Sequence, residues 1–475
     1  MPQATTETDP AEELRGRRDE AILGVVLAHH VVRAFVGARE PLPRGRKVWV
    51  GRAEGSVFPG AFDGGRCSRR HAELESDGDA ILVRDLESRN GTFVNGARVS
   101  SARAVEGDVI GVGDVLLVVA RAPLFLESPV TSASMEGDLL GVSAALAALK
   151  VQIAAAARSP VVGIVGETGS GKELVARALH AASGRTGAFV AVNCAAIADG
   201  VLASELFGHV GGAFSGATAS RDGLVAAAKK GTLFLDELAS ASPSFQASLL
   251  RLMETGDYRP VGGNATKHAD VGFIAALQPE VATRALERGD FRRDLWTRVA
   301  RWLVTIPALR ERREDIPLLA MHFAERRALS AGSSVGPALA SDFVLALLRH
   351  DWPGNVRELR GFVERAVDLA GPSDTLHFSD ALARDLALAA GVAPRPAAAA
   401  PAAAAPAASD AAHDAAEDAA DRRRSPTPRP TRAELEALLA EHAGNVTALA
   451  KARGVPRKTV YRWLEAFGLA TRGER

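Results

Sequence analysis

Gly166, Glu167, Thr168, Gly169, Ser170, Gly171 and Lys172 follow directly on an apolar run, 161–165, and lead into a helix-like stretch. That order constrains the chain more than any other feature. A strand, a Gly-rich turn and a helix start close backbone N–H groups around phosphate oxygens, and the lysine adds a positive charge. Such a turn needs a sheet to carry it. Short β-like runs at 161–165, 189–192, 232–235 and 271–275 alternate with helical stretches between 139 and about 369, the pattern of a parallel sheet covered by helices. Glu173 follows the lysine where Ser or Thr is usual, so the common hydroxyl ligand for Mg2+ is missing there.

The apolar strand 231–235 ends in Asp236 and Glu237, about 65 residues past the phosphate loop. Carboxylates at the end of a buried strand are paired or bind a cation. Asp236 is placed to hold Mg2+, directly or through water, and Glu237 to polarise an attacking water.

The rest of the chain divides around this centre. Its 475 residues predict about three domains. Residues 1–18 are polar and lack periodicity, a disordered lead. Residues 19–122 carry short apolar runs (22–27, 48–50, 80–83, 115–119) punctuated by Gly, Asp, Asn and Ser, which predicts an all-β sandwich. A linker spans 123–136, and the α/β domain spans 137–371. Residues 372–430 hold a helical end and an Ala/Pro-rich tether that cannot bury a core. Residues 431–475 return to helical spacing, an all-α domain.

Charge and cysteine content exclude several classes. Lys+Arg and Asp+Glu are 57 each, so no whole-chain basic footprint for nucleic acid exists. A local one remains in 431–475, where eight Lys/Arg face five Glu, a net of +3. Cys67 and Cys194 cannot form a disulfide framework or a four-ligand zinc site, and Cys194 reads as a small buried residue. The polar, acidic N-terminus is no signal peptide, and no apolar run suits a membrane span. The expectation is a cytoplasmic protein without membrane contact.

Residues 166–173 resemble the Walker A motif of the sigma-54-dependent transcriptional activators, bacterial enhancer-binding proteins of the AAA+ class, in which Glu after Lys is normal. Gly212, Ala213, Phe214, Ser215, Gly216 and Ala217 resemble the family's remodelling loop, and Trp352-Pro-Gly-Asn-Val-Arg-Glu-Leu359 is similarly typical. The resemblance covers about 137–371 and implies a helical lid over about 308–371, a ring of subunits from dimer to hexamer, and hydrolysis of Mg2+-bound ATP. It makes 212–217 the contact with sigma-54 RNA polymerase holoenzyme. Composition alone leaves Phe214 equally able to tuck into the core. By the same resemblance Arg292 and Arg298 are arginine fingers reaching a neighbour's nucleotide, Arg357 is the second sensor, and Asn193 holds Glu237 in its resting pose. The chain departs at Leu277-Gln278, where the family reads Thr-Asn; Gln278 as first sensor needs an adjusted geometry.

The β region resembles the forkhead-associated (FHA) domain, a phosphothreonine reader, in Gly51-Arg52, Cys67-Ser-Arg-Arg-His71, Ser88-Arg-Asn-Gly-Thr92 and Val94-Asn-Gly96. The carried-over phosphothreonine positions are Arg52, Ser68, Arg69, Arg89, Asn90 and Asn95, with His71 locking loops. Residues 431–475 resemble a Fis-type helix-turn-helix, with Arg457, Lys458, Thr459, Tyr461 and Arg462 expected to contact upstream enhancer DNA. Together these imply an activator that hydrolyses ATP, opens sigma-54 promoters and answers to a phosphothreonine-containing protein. A second reading is a DNA-binding regulator whose nucleotide only sets oligomeric state. A third is a phosphopeptide adaptor with an inert ATPase.

Overall fold

The computed structural model describes residues 21–389, apart from 31, 64–65, 124–138, 198, 216, 334 and 372–374. These fall within one compact unit, Met1–Arg395. The helix-turn-helix expectation for 431–475, with Arg457, Lys458, Thr459, Tyr461 and Arg462, lies outside the described residues, as do Gly216 and the lead at 1–18. Among the described residues no helix is long and apolar enough to cross a membrane.

The β region is a two-sheet antiparallel sandwich. One sheet has the order Arg39–Pro41, Ala21–His29, Val115–Pro123, Val109–Val112, Thr92–Val94, Ala97–Val99. The other runs Lys47–Val50, Ala72–Ser76, Ile81–Asp85, Ser101–Ala104. Alternation sets the core between them: Leu23, Val25, Leu27, Leu74, Ile81, Val83, Leu117 and Val119 point inward. The expected all-β sandwich is therefore present.

The outer face of the larger sheet is also covered. Ala28, Val109, Leu116 and Val118 share a core with Leu319, Phe343, Val344 and Leu347 of the helices Ile316–Ser330 and Ser341–Arg349. A fully buried Leu or Val side chain contributes about 1.5–3 kcal/mol, so this face outweighs the exposed Arg33–Glu325 pair beside it. Ser341 Oγ donates to the Asp114 carbonyl at 2.9 Å across the same boundary.

The α/β region has a five-stranded parallel sheet in the order Phe189–Asn193, Thr232–Asp236, Gly272–Leu277, Val161–Val165, Leu303–Thr305. Its strands are apolar on both sides because helices cover both faces. The helices Ala144–Ala156 and Lys172–Ala182 cover one face, while Pro243–Thr255 and Arg293–Val299 pack in the core on the other. A helical lid follows: Ile316–Ser330, Ser341–Arg349, Asn355–Ala370 and Asp380–Ala389. Trp352 is wholly buried in it, its indole N–H donating to the Leu347 carbonyl at 2.8 Å.

Candidate functional site

The carboxyl ends of the parallel strands define the site. Val165 pairs in register with Leu277, and Asn193 with Asp236. The residues that follow each strand (the phosphate loop, Glu237 and Gln278) therefore emerge side by side, where ligands bind in open α/β sheets.

The turn 166–171 needs its glycines. Gly169 has φ +74° and Gly171 φ +101°, both in the left-handed region. A Cβ on Gly169 would also lie 2.2 Å from the Gly354 carbonyl oxygen, so the lid approaches the loop at backbone contact distance. Lys172 opens its helix and donates through Nζ to the carbonyls of Gly166 and Glu167, each at 3.0 Å. Burial lowers its pKa, Asp236 and Glu237 oppose that, and Arg357 adds to it. Glu173 stands exposed and pairs with Arg177 one turn on, at 2.7 Å.

Asp236 and Glu237 are half-buried rather than enclosed. Asp236 Oδ1 accepts the Glu237 N–H at 3.0 Å. Glu237 sits at φ +55°, a conformation costing a non-glycine residue of order 1–3 kcal/mol and characteristic of functional turns. Gln278 Nε2 donates to Glu237 Oε1 at 3.4 Å, so the amide that departs from the family pattern faces this carboxylate. Asn193 does not make the expected contact with Glu237. Its Oδ1 instead accepts from Ala195 and Ala196 N–H, at 2.9 and 3.0 Å, because it caps its own turn.

Three residues that sequence reasoning missed tie the lid to the loop. Arg310 grips Glu167 with both nitrogens, at 2.9 and 2.6 Å. Asn355, wholly buried, donates to Glu167 Oε2 at 2.9 Å and the Thr168 carbonyl at 3.1 Å, and accepts from Leu309 N–H at 2.8 Å. Arg312 Nη2 donates to the Ser170 carbonyl at 3.4 Å. Arg357, the expected second sensor, is held by its own N–H on the Gly169 carbonyl at 3.3 Å.

Arg292 and Arg298 lie away from these bonds. Arg292 is exposed and forms a bidentate pair with Asp294, at 3.1 and 2.7 Å. Arg298 is half-buried and donates to the Met253 carbonyl at 3.2 Å. Among the described residues neither donates to the phosphate loop of its own chain. In the 212–217 loop, Gly212 N–H reaches the Ala217 carbonyl at 2.7 Å, and Gly212 has φ +80°. Phe214 is 48% exposed, with its ring edge-on to His209, so it is not tucked into the core. Cys194 is buried and pushed up to about 12, which makes it a packing residue and no nucleophile.

In the sandwich, Gly51 admits no side chain: its Cβ would lie 2.3 Å from the Arg69 carbonyl oxygen. That close approach sets Arg52 beside the 68–71 loop, where Arg52 N–H donates to the Ser68 carbonyl at 3.2 Å. Ser68 Oγ accepts from Arg89 N–H at 3.1 Å, and Asn90 Nδ2 donates to the Arg66 carbonyl at 2.6 Å. His71 is wholly buried and bonds both Ser68 N–H and the Gly91 carbonyl, so it locks the loops as expected. These bonds set the backbone segments of Arg52, Arg69 and Arg89 beside one another, and all three residues are exposed. Asn95 spends both ends of its amide on Asp108 and Val109, which makes it a turn-holding residue.

This arrangement is that of a P-loop ATPase domain of the AAA+ class with a helical lid, joined to a two-sheet antiparallel sandwich. Residues 139–305 match the Sigma-54 interaction domain, 310–391 the AAA+ ATPase lid domain, and 48–113 the FHA domain. The chain is 48% identical over 203 residues to the C4-dicarboxylate transport transcriptional regulatory protein DctD of Rhizobium meliloti, covering 42% of this chain and 44% of that one. It is 39% identical over 334 residues to the anaerobic nitric oxide reductase transcription regulator NorR of Aeromonas hydrophila, covering 70% and 63%. The chain thus spans about half the length of the curated relatives it matches. Among solved structures, NtrX from Brucella abortus in complex with ATP is 31% identical, with a TM-score of 0.48, over 70% of each chain. Residues 139–391 thus carry a Sigma-54 interaction domain followed by an AAA+ ATPase lid, with an FHA domain ahead of them, and the curated relatives they match are transcriptional regulators.

Proposed function

We propose that this chain is an ATP-driven activator of sigma-54 RNA polymerase, gated by a phosphothreonine ligand. The observation that carries the reading is the convergence of the phosphate loop, Asp236, Glu237, Gln278 and the Arg357 lid helix at one end of the sheet. The residues fit a nucleotide triphosphate and its Mg2+: a glycine cradle, a helix N-terminus, Lys172 and a half-buried Asp236. Asp236 would hold the ion, which neutralises charge on the transferred phosphoryl group. Glu237 orients and polarises the attacking water, and Gln278 holds Glu237. Arg292 and Arg298 serve the nucleotide of a neighbouring subunit in a homo-oligomer. The loop with Phe214 exposed presses on sigma-54, residues 431–475 bind upstream DNA, and Arg52, Ser68, Arg69, Arg89, Asn90 and the turn set by Asn95 read the phosphothreonine.

Transcription from sigma-54 holoenzyme in vitro tests the reading. Promoter opening is expected with ATP and not with a non-cleavable analogue, and it should change when a phosphothreonine peptide is added. Equal opening with the analogue would defeat it and favour the regulator whose nucleotide only sets assembly.

A further inference from the structure

One edge of the FHA sandwich reaches the ATPase domain. Arg39, half-buried on the edge strand Arg39–Pro41, donates through Nη2 to the Val142 carbonyl. The same peptide segment is held from the other side. Asp315 Oδ1 accepts from the N–H groups of Val142 and Ser143, the latter at 2.7 Å, and Oδ2 accepts from Ser143 Oγ at 2.7 Å. Asp315 is wholly buried, Glu314 is 6% exposed and Arg312 is 4% exposed. Two carboxylates and two guanidinium groups thus share one interior region, and one of the four comes from the FHA domain.

A buried carboxylate pair is tolerated when cations and hydrogen bonds compensate it. Burial pushes both carboxyls up, Glu314 to about 7 with Asp315 adding to it, while Arg39 acts in the opposite sense on Glu314. Arg312 plays that part for Asp315. Arg39 Nη1 is buried without a hydrogen-bond partner, so charge and the one bond to Val142 hold the group in place.

Two routes run from this cluster to the phosphate loop. Arg312 donates to the Ser170 carbonyl at 3.4 Å. Ser143 caps the helix Ala144–Ala156, whose Leu146, Leu149 and Ile153 share a core with Val175 and Leu179 of the phosphate-loop helix. Arg39 itself belongs to neither the nucleotide site nor the phosphothreonine loops.

We propose that Arg39 is a positioning residue for the nucleotide site: it closes the buried cluster from the FHA side, fixes the 142–143 backbone, and makes nucleotide affinity depend on the docked FHA domain. This rests on the reading of 166–172 as an ATP site. It also gives the FHA domain a second task, separable by mutation from phosphothreonine binding.

The test uses the full chain and ATP. Arg39→Ala should raise KM for ATP about fivefold or more, with kcat changed less than about twofold, as expected when one charge-assisted bond supports ground-state binding. Arg39→Lys should recover most of the KM, because it keeps the charge. Should circular dichroism show that the alanine variant does not fold, Arg39→Gln takes its place with the same expectation. A folded variant with KM unchanged, or with kcat lowered and KM unchanged, overturns the proposal, since a merely structural role reduces the active fraction alone. A wild-type chain that neither binds nor hydrolyses ATP overturns the nucleotide reading instead, before any variant is compared.

Discussion

In the sandwich loops the guanidinium groups of Arg52, Arg69 and Arg89 stand exposed, with no hydrogen bond or ion pair among the described residues. At the phosphate loop, Lys172, Arg310 and Arg312 are all already bonded, to loop carbonyls and to Glu167. An anion reaching the first site would have no internal bond among the described residues to displace. The second must trade internal bonds for phosphate oxygens, so binding there is coupled to the shape of the loop and the lid. On the proposed reading, the first region senses and the second converts binding into movement.

The largest effect should come from the reacting group. Glu237→Gln keeps the size of the side chain and the phosphate loop, and removes the base. Phosphate release should fall by about a hundredfold or more, while ATP binding persists. Normal turnover in that variant would break the contrast at its catalytic end.

Arg52→Ala should come next. Loss of one charge-assisted contact to phosphate costs about 1.5–3 kcal/mol, or roughly 10–150-fold in phosphopeptide affinity. Because the arginine is exposed, the wild-type affinity should also fall as salt rises. Titration of a fluorescent phosphothreonine peptide at two ionic strengths reads both. Salt-independent binding would mean that these arginines do not face the ligand.

Local features of this architecture were legible and long-range ones were not. The strand 161–165 has the bounds read from its apolar run, since Gly166 ends it and helices cover both faces. Leu303–Thr305 is three residues long beside exposed Trp302, too short for periodicity to mark. Arg310 and Asn355 lie 143 and 188 positions from Glu167, so no spacing rule joins them. The docked sandwich face did leave a signal. Residues 115–120 are apolar without alternation, and both faces of that strand are buried, one by the inner core and one by the lid helices. A half-solvated strand would have alternated. Gln278 shows the opposite limit: its identity marked a departure, but only the geometry shows the amide on Glu237.

The smallest expected effect sharpens the contrast most. Glu167 stands where the Gly-x4-Gly-Lys spacing specifies no residue, yet its carboxylate receives Arg310 and Asn355 together, and these hydrogen bonds, Arg310 first, hold it below the usual carboxylate range. It is about a quarter exposed in its side chain, so solvent screens the pair, and about 1 kcal/mol is a fair expectation for its loss. Glu167→Ala should then raise KM for ATP roughly fivefold through a loosened lid, with phosphopeptide affinity unchanged. Glu167→Gln should fall between, because a Gln carbonyl still accepts from Asn355 while the ion pair is lost. If all three proteins share one KM, the bonds at the phosphate loop are passive packing, and the nucleotide site would be as independent of its surroundings as the arginines of the sandwich.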